Sequence, residues 1–130
     1  MAETFKRYKD IDISFRQNPI SKDIIPLYDI NAIKRAVKFL VCTDHHERPF
    51  HPEIGSSVRQ QLFENFTPLT KINITRSIEE VLQNYEPRAS VIDVSVIEDI
   101  DSHTLDVTIT FGIANIKDPV IVSFNLERVR

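Results

Sequence analysis

The segment Cys42-Thr-Asp-His-His-Glu-Arg-Pro-Phe-His-Pro-Glu53 gathers most of the side chains in this sequence that could hold a metal or move a proton. His45, His46, His51, Asp44 and Glu53 are all of zinc-ligating type. Their spacing argues against a metal site, because no two of these histidines stand three or four residues apart, the separation that puts both imidazoles on one helix face. Pro49 and Pro52 also stiffen the segment, so a polar loop between two helices is the plainer expectation, with no metal. Cys42 and His45 form a nucleophile and base on paper, yet a lone cysteine at a helix end ordinarily serves packing. Glu47, Glu53, Glu64, Glu79, Glu80 and Glu86 could include the two carboxyls of a glycosidase. Such an enzyme also needs a sugar cleft, usually with aromatic platforms, and the chain has no Trp and only 3 Tyr. No catalytic residue is assigned, and most of these glutamates are expected on solvated helix faces.

Two charged proline motifs suit recognition better than catalysis. They are Glu47-Arg48-Pro49-Phe50 and Glu86-Pro87-Arg88. Proline locks the local backbone, so the neighbouring charges are held in set directions that can meet a partner's backbone or carboxylates. The second motif has another reading that stays open here: it can simply stop a helix, with Arg88 beside the negative end of the helix dipole.

The elements that must position these motifs follow from periodicity. Ile11, Ile13 and Phe15 alternate with Asp12 and Ser14, which predicts a short half-buried edge strand ending at Asn18-Pro19. Asp29 is placed to cap a first helix, whose stripe of Ile30, Ile33, Val37, Leu40 and Val41 runs to about residue 43. Phe39 lies about 160° from Val37 at 100° per residue, so it should face solvent or a partner. Gly55, Ser56 and Ser57 announce a second helix, with Ser57 and Gln60 at capping-box spacing and Val58, Leu62, Phe63 and Phe66 buried. Thr70 can cap a third helix that buries Ile74, Ile78, Val81, Leu82 and Tyr85 and ends before Pro87. Beyond residue 89 the period falls to two. Ile92, Val94 and Val96, then Leu105 to Ile113, then Val120 to Leu126 read as an antiparallel meander, with turns at Glu98 to His103 and Asn115 to Pro119. The fold class is α+β: three helices packed on one face of a small antiparallel sheet that contains a three-stranded C-terminal meander.

Composition narrows the function classes. At 130 residues and 15.1 kDa, residues 1–130 suit one domain with a core large enough to need no disulfide. The first 65 residues hold 10 Lys+Arg against 9 Asp+Glu and the rest 6 against 10, so no basic surface calls for nucleic acid. No apolar run approaches the ~18 residues of a membrane span, and Met1 to Arg7 leads into no signal core, so folding in a cytosol is expected. Asn65-Phe-Thr67 and Asn73-Ile-Thr75 match the glycosylation sequon by chance in that setting. One cysteine excludes a disulfide or a cysteine-based zinc site, and two glycines exclude a P-loop or dinucleotide fingerprint, so no cofactor is expected.

Arg48-Pro-Phe-His-Pro-Glu-Ile-Gly55, Gln61-Leu-Phe-Glu-Asn-Phe-Thr-Pro-Leu-Thr70 and Asn84-Tyr-Glu-Pro-Arg88, in this order and spacing, resemble the baseplate wedge and tail-sheath initiator family of contractile-tailed phages. The likeness spans about residues 10 to 127. It implies a structural, non-enzymatic protein of the virion tail, assembled in the host cytoplasm, that joins wedge to sheath and starts the first sheath ring. It further implies that Glu86, Pro87 and Arg88, with Arg48, Pro49 and Phe50, dock on the core bundle of larger wedge proteins. The C-terminal strands resemble the sheath protein's strand-exchanging domain, which assigns Val122, Ser123, Phe124, Asn125, Leu126 and Glu127 to sheath binding by β-augmentation. Tail tube and hub proteins are further partner candidates; nucleic acid and membrane are not. Some family members carry a lysozyme label, so a cell-wall glycosidase is the runner-up, and a type VI secretion or bacteriocin baseplate subunit is a third reading. The sequence departs from the family pattern at His46-Glu47, where a small residue is usual, and at Ile54, where an aromatic is usual.

Overall fold

The computed structural model describes residues 8–114 and 116–127. Met1 to Arg7 and Asn115, where one turn was expected to begin, lie outside them. The chain runs β1 (Lys9–Ile11), β2 (Pro26–Tyr28), α1 (Asp29–Cys42), α2 (Val58–Gln61), α3 (Pro68–Tyr85), β3 (Ala89–Asp99), β4 (Thr104–Ile113) and β5 (Val120–Glu127). It is a mixed helix and sheet architecture with antiparallel sheets of two and three strands, β1-β2 and β3-β4-β5. Ile33, Val37 and Val41 of α1 and Ile74, Ile78 and Leu82 of α3 share one apolar cluster with Val96, Val107, Ile109, Phe111 and Phe124 of the larger sheet. Burying these side chains, at roughly 1.5 to 3 kcal/mol each, is what fastens helices to sheet.

The meander follows the alternation closely in β4 and β5. Leu105, Val107, Ile109, Phe111 and Ile113 are buried in β4, and Val120, Phe124 and Leu126 in β5, with Val122 half-buried. β3 departs from the expectation. A register shift between Val91 and Asp93 marks a bulge at Ile92, so the inward phase runs Ala89, then Val94 and Val96, and Ile92 is 63% exposed rather than buried. An extra residue in one strand turns every later side chain to the other face, and the alternation beyond the bulge is intact. The side chain of Ile92 lies over Gly112, 3.8 Å from where a β-carbon would stand.

The N-terminal third corrects the reading of residues 11 to 15. Strand β1 ends at Ile11, and Ile11, Ile13 and Phe15 are exposed while the buried residue is Asp12, at 1% exposure. Polar contacts decide this inversion. The Asp12 carboxylate accepts hydrogen bonds from the Ser14 backbone N–H (3.2 Å) and hydroxyl and pairs with Arg16 (3.3 Å) and Arg35 of α1 (3.2 Å). Asp29 likewise does not cap from the expected position. Tyr28 is the N-cap of α1, without a side-chain cap bond, and the Asp29 carboxylate accepts from the Tyr8 backbone N–H at 3.1 Å, while the Asp29 N–H donates to the Tyr8 carbonyl at 2.9 Å.

The other two helices shift as well. α2 is a single turn: Leu62 keeps helical dihedrals, but the N–H groups of Phe63 and Glu64 reach only three residues back, to Gln60 and Gln61, and Phe63 is exposed while Phe66 is half-buried against the core. α3 begins earlier than Thr70. Thr67 is its N-cap, accepting from the Thr70 N–H at 3.2 Å, and Pro68 occupies the first turn, where its missing N–H costs nothing. Its end at Tyr85 agrees with the stop expected ahead of Pro87.

Candidate functional site

Glu86-Pro87-Arg88 forms the corner between α3 and β3. Glu86 closes the helix, donating its N–H to Leu82 at 2.9 Å and accepting from the Ala89 N–H at 3.2 Å. Its side chain is not free to meet a partner. Glu86 is 3% exposed, and its carboxylate accepts both arms of the Arg88 guanidinium, Nε at 2.6 Å and Nη2 at 2.7 Å. These two bonds raise the pKa of Arg88 above its ordinary value. The guanidinium also stacks over the Tyr8 ring, 5.1 Å from its centre. Proline thus sets the two flanking charges toward each other, which makes the corner a rigid surface feature more than a pair of free charges.

Arg48, Pro49 and Phe50 sit in the loop from α1 to α2. The loop is tied at its base by the Ser56 N–H to the Thr43 carbonyl (2.8 Å) and the Ser56 hydroxyl to the Val41 carbonyl (2.6 Å). Higher up, the His46 N–H donates to the Pro52 carbonyl (2.9 Å) and the Asp44 N–H to a Glu47 carboxylate oxygen (2.9 Å). Gly55 is required at the crossing. Its φ is +151°, and a β-carbon there would stand 2.7 Å from the Asp44 carbonyl group. At the tip Phe50 is 97% exposed at a φ of +69°, and Arg48 makes no ion pair among the described residues.

Two open hollows flank this loop. One, of about 400 Å³, brings Arg48 together with Glu86 of the corner, Arg35, Phe39 and Leu40 of α1, and Ile11 and Ile13 of the N-terminal segment. The expectation for Phe39 is therefore met only halfway: it is half-buried, lining a hollow rather than lying in the core or in open solvent. Phe50 is not part of that lining. The other hollow, of about 410 Å³, lies between the loop and α3 and is bordered by His45, Glu53, Arg76, Glu80 and Tyr85. Its ends are clipped by the Tyr85 hydroxyl donating to the Glu53 carbonyl (3.1 Å) and by the Ser57 and Ser77 hydroxyls at 3.0 Å. Bonds from its own backbone N–H and from His51 hold the Glu53 carboxyl below the usual carboxylate range. A glycosidase acid needs the opposite shift. Among the described residues no three His, Cys, Asp or Glu side chains gather as a metal would require.

The assigned sheath-facing residues lie together on β5. β5 pairs with β4 alone, from Val120 opposite Phe111 to Glu127 opposite Thr104, so its other side is an edge among the described strands. Phe124 and Leu126 are buried, Val122 half-buried, and Ser123, Asn125 and Glu127 exposed. Sequence reasoning missed Asp12 and the hollow beside it. The available signal is Asp12 and Ser14, which alternation assigns to solvent, followed by a cation at Arg16.

Comparison with known proteins places the chain. The family model for baseplate wedge protein gp25 matches residues 29–116. Over 120 residues, 92% of this chain and 90% of the relative, the sequence is 38% identical to the baseplate wedge protein gp25 of Enterobacteria phage T4. A chain in the cryo-EM structure of the anti-feeding prophage baseplate superposes with a TM-score of 0.74 at 27% identity, covering 86% of this chain and 90% of that one. A Geobacter sulfurreducens crystal structure carrying a tail-lysozyme description has a TM-score of 0.68 at 17% identity, over 75% of this chain and 89% of that one, a likeness of fold alone. On the match to residues 29–116 and the identity over nearly its whole length, this chain belongs to the baseplate wedge protein gp25 family.

Proposed function

We propose that this protein is a non-enzymatic structural component of a contractile-tail baseplate that links the wedge core to the sheath and starts sheath assembly. In this reading the chain is one domain in the virion tail, assembled in the host cytoplasm, with α1, α2 and α3 covering one face of the β3-β4-β5 sheet. The corner at Glu86, Pro87 and Arg88 and the loop at Arg48, Pro49 and Phe50 dock on wedge core-bundle proteins. The tail sheath protein adds a strand beside Val122 to Glu127. Tube or hub proteins are neighbours in the same assembly.

One observation carries the sheath half of this reading: β5 is an edge whose register is anchored by Val120, Phe124 and Leu126. Its main-chain groups can pair with an incoming strand, and its alternation can align that strand. Exposed β5 residues include no basic side chain and only Glu127 as an acid, so the edge lacks the charges that usually block pairing. Asn125→Pro removes one ladder donor at an outward position. Tails assembled with that variant should contain it in the baseplate yet show bare tubes by electron microscopy; normally sheathed tails would overturn the assignment of β5.

The glycosidase alternative draws on Glu53 and Glu80 bordering one hollow. Such an enzyme needs an acid held protonated near neutral pH, and Glu53 is shifted the other way. An equivalent subunit of a type VI secretion or bacteriocin baseplate shares the architecture, and the genes beside this one separate it from a phage tail.

A further inference from the structure

The hollow of about 400 Å³ beside the α3–β3 corner combines an apolar floor with an unpaired guanidinium. Phe39 and Leu40 of α1 form part of the floor, and Ile11 and Ile13, 60% and 48% exposed, form a wall. Exposed isoleucines on an N-terminal segment are ordinarily mobile, but these flank Asp12, whose buried carboxylate is fastened to Arg16 and to Arg35 of α1. The wall is therefore held in place against the helix.

Two of the charges around this floor are answered within the chain, those of Arg35 and Glu86. Arg35 pairs with Asp12 at 3.2 Å and Glu86 is gripped by both arms of Arg88, while the exposed Asp10 carboxylate accepts from the neighbouring Ile11 N–H at 2.8 Å and has no ion pair among the described residues. Of the two cations in the lining, Arg35 and Arg48, Arg48 is the one without an ion pair among the described residues, and it is exposed. A guanidinium left over beside an apolar hollow is complementary to a carboxylate placed next to an apolar side chain.

We propose that this hollow seats an apolar side chain of another baseplate protein, between Ile13 and Phe39, with a carboxylate of the same partner paired to Arg48. The inference rests on the reading of the chain as a baseplate wedge subunit and sharpens it. The docking energy comes from filling the hollow, and Arg48 supplies the selectivity, while Glu86 and Arg88 shape the wall without contributing free charge.

The test uses the full chain in assembled particles. Tails are produced from a background lacking this gene and supplied with wild type, Arg48→Glu, Arg48→Ala or Lys71→Glu, an exposed position on α3 far from the hollow in sequence. A second sample carries photoreactive benzoylphenylalanine in place of Phe39. Baseplate content of Arg48→Glu should fall about tenfold or more, that of Arg48→Ala by less, and that of Lys71→Glu should not change. The cross-link from position 39 should map to a segment of another baseplate protein in which an apolar residue adjoins Asp or Glu. Reversing that acid to Lys should restore Arg48→Glu. Because Arg48 is exposed, thermal melts of its variants should match wild type. Wild-type chain absent from baseplates would sink the baseplate reading itself. Wild type present, with Arg48→Glu retained equally or with cross-links only to a second copy of this chain, would overturn the hollow alone.

Discussion

In the folded chain the Arg88 guanidinium closes on the buried carboxylate of Glu86, two residues before it. The motif Glu86-Pro87-Arg88 puts two charges on a stiff backbone, and stiffness alone can aim them outward at a partner. The same stiffness lets them close on each other, because a buried Glu86 carboxylate needs a charged donor to offset its desolvation. Arg88→Ala should therefore destabilise the isolated protein by about 2 kcal/mol or more. That is short of the 3 to 5 kcal/mol of a fully buried pair because the Arg88 side chain is 30% exposed. Urea unfolding measures it, and the double variant Glu86→Gln with Arg88→Ala should lose less than Arg88→Ala alone, since no buried charge is left behind. An unchanged midpoint for Arg88→Ala would return the motif to a purely intermolecular role.

Among the elements, α3 presses on β3, borders one hollow and ends at the corner of the other. Its start is set by local chemistry. Thr67 accepts from the Thr70 N–H, the two hydroxyls lie 3.0 Å apart, and the Thr70 hydroxyl donates to the Asn65 carbonyl at 2.9 Å. Thr67→Ala removes the acceptor for one orphan helix N–H and should cost about 1 kcal/mol in thermal or denaturant unfolding. Thr70→Ala should leave the cap acceptor in place, so an equal loss in both variants would point to the hydroxyl network rather than the cap. The location of the cap was legible three residues off because Thr-Pro-Leu-Thr offers two threonines at acceptable positions. Proline settles the choice: it fits the first helical turn, directly after the residue that caps.

At the scale of the whole molecule, the N-terminal segment is joined to the body by polar contacts rather than by core packing. Asp12 is the central joint, with Ser14 donating to it and Arg16 and Arg35 beside it, and these hold its carboxyl below the usual range. A folded pKa below the unfolded value of about 3.8 means the ionised form stabilises the joint. That contribution is fully present well above 3.8 and is lost as pH falls from there through the lower folded value. NMR amide shifts of Tyr8, Ile11 and Ser14 should therefore hold steady from neutral pH to about pH 5 and move toward unfolded values in stronger acid, ahead of the core strands. Asp12→Asn should release the segment already at neutral pH, and retention of native shifts in that variant would show that other contacts hold it.

The sequence by itself determined the class of fold, the three-stranded meander, the end of α3 and the family resemblance. All of these rest on short-range rules: alternation, helical spacing, the backbone restriction of proline, and an ordered set of motifs. Tertiary structure decided whatever depends on which groups meet. Asp12 and Ile11 exchanged their expected environments because Arg35, 23 residues away, supplies the charge that lets a carboxylate be buried. Ile92 was turned outward by a bulge whose cost and benefit lie in the pairing with β4, which periodicity within one strand cannot register. The hollow at Phe39 exists because α1, the N-terminal segment, the 43–57 loop and the end of α3 converge there, and no window of sequence contains all four.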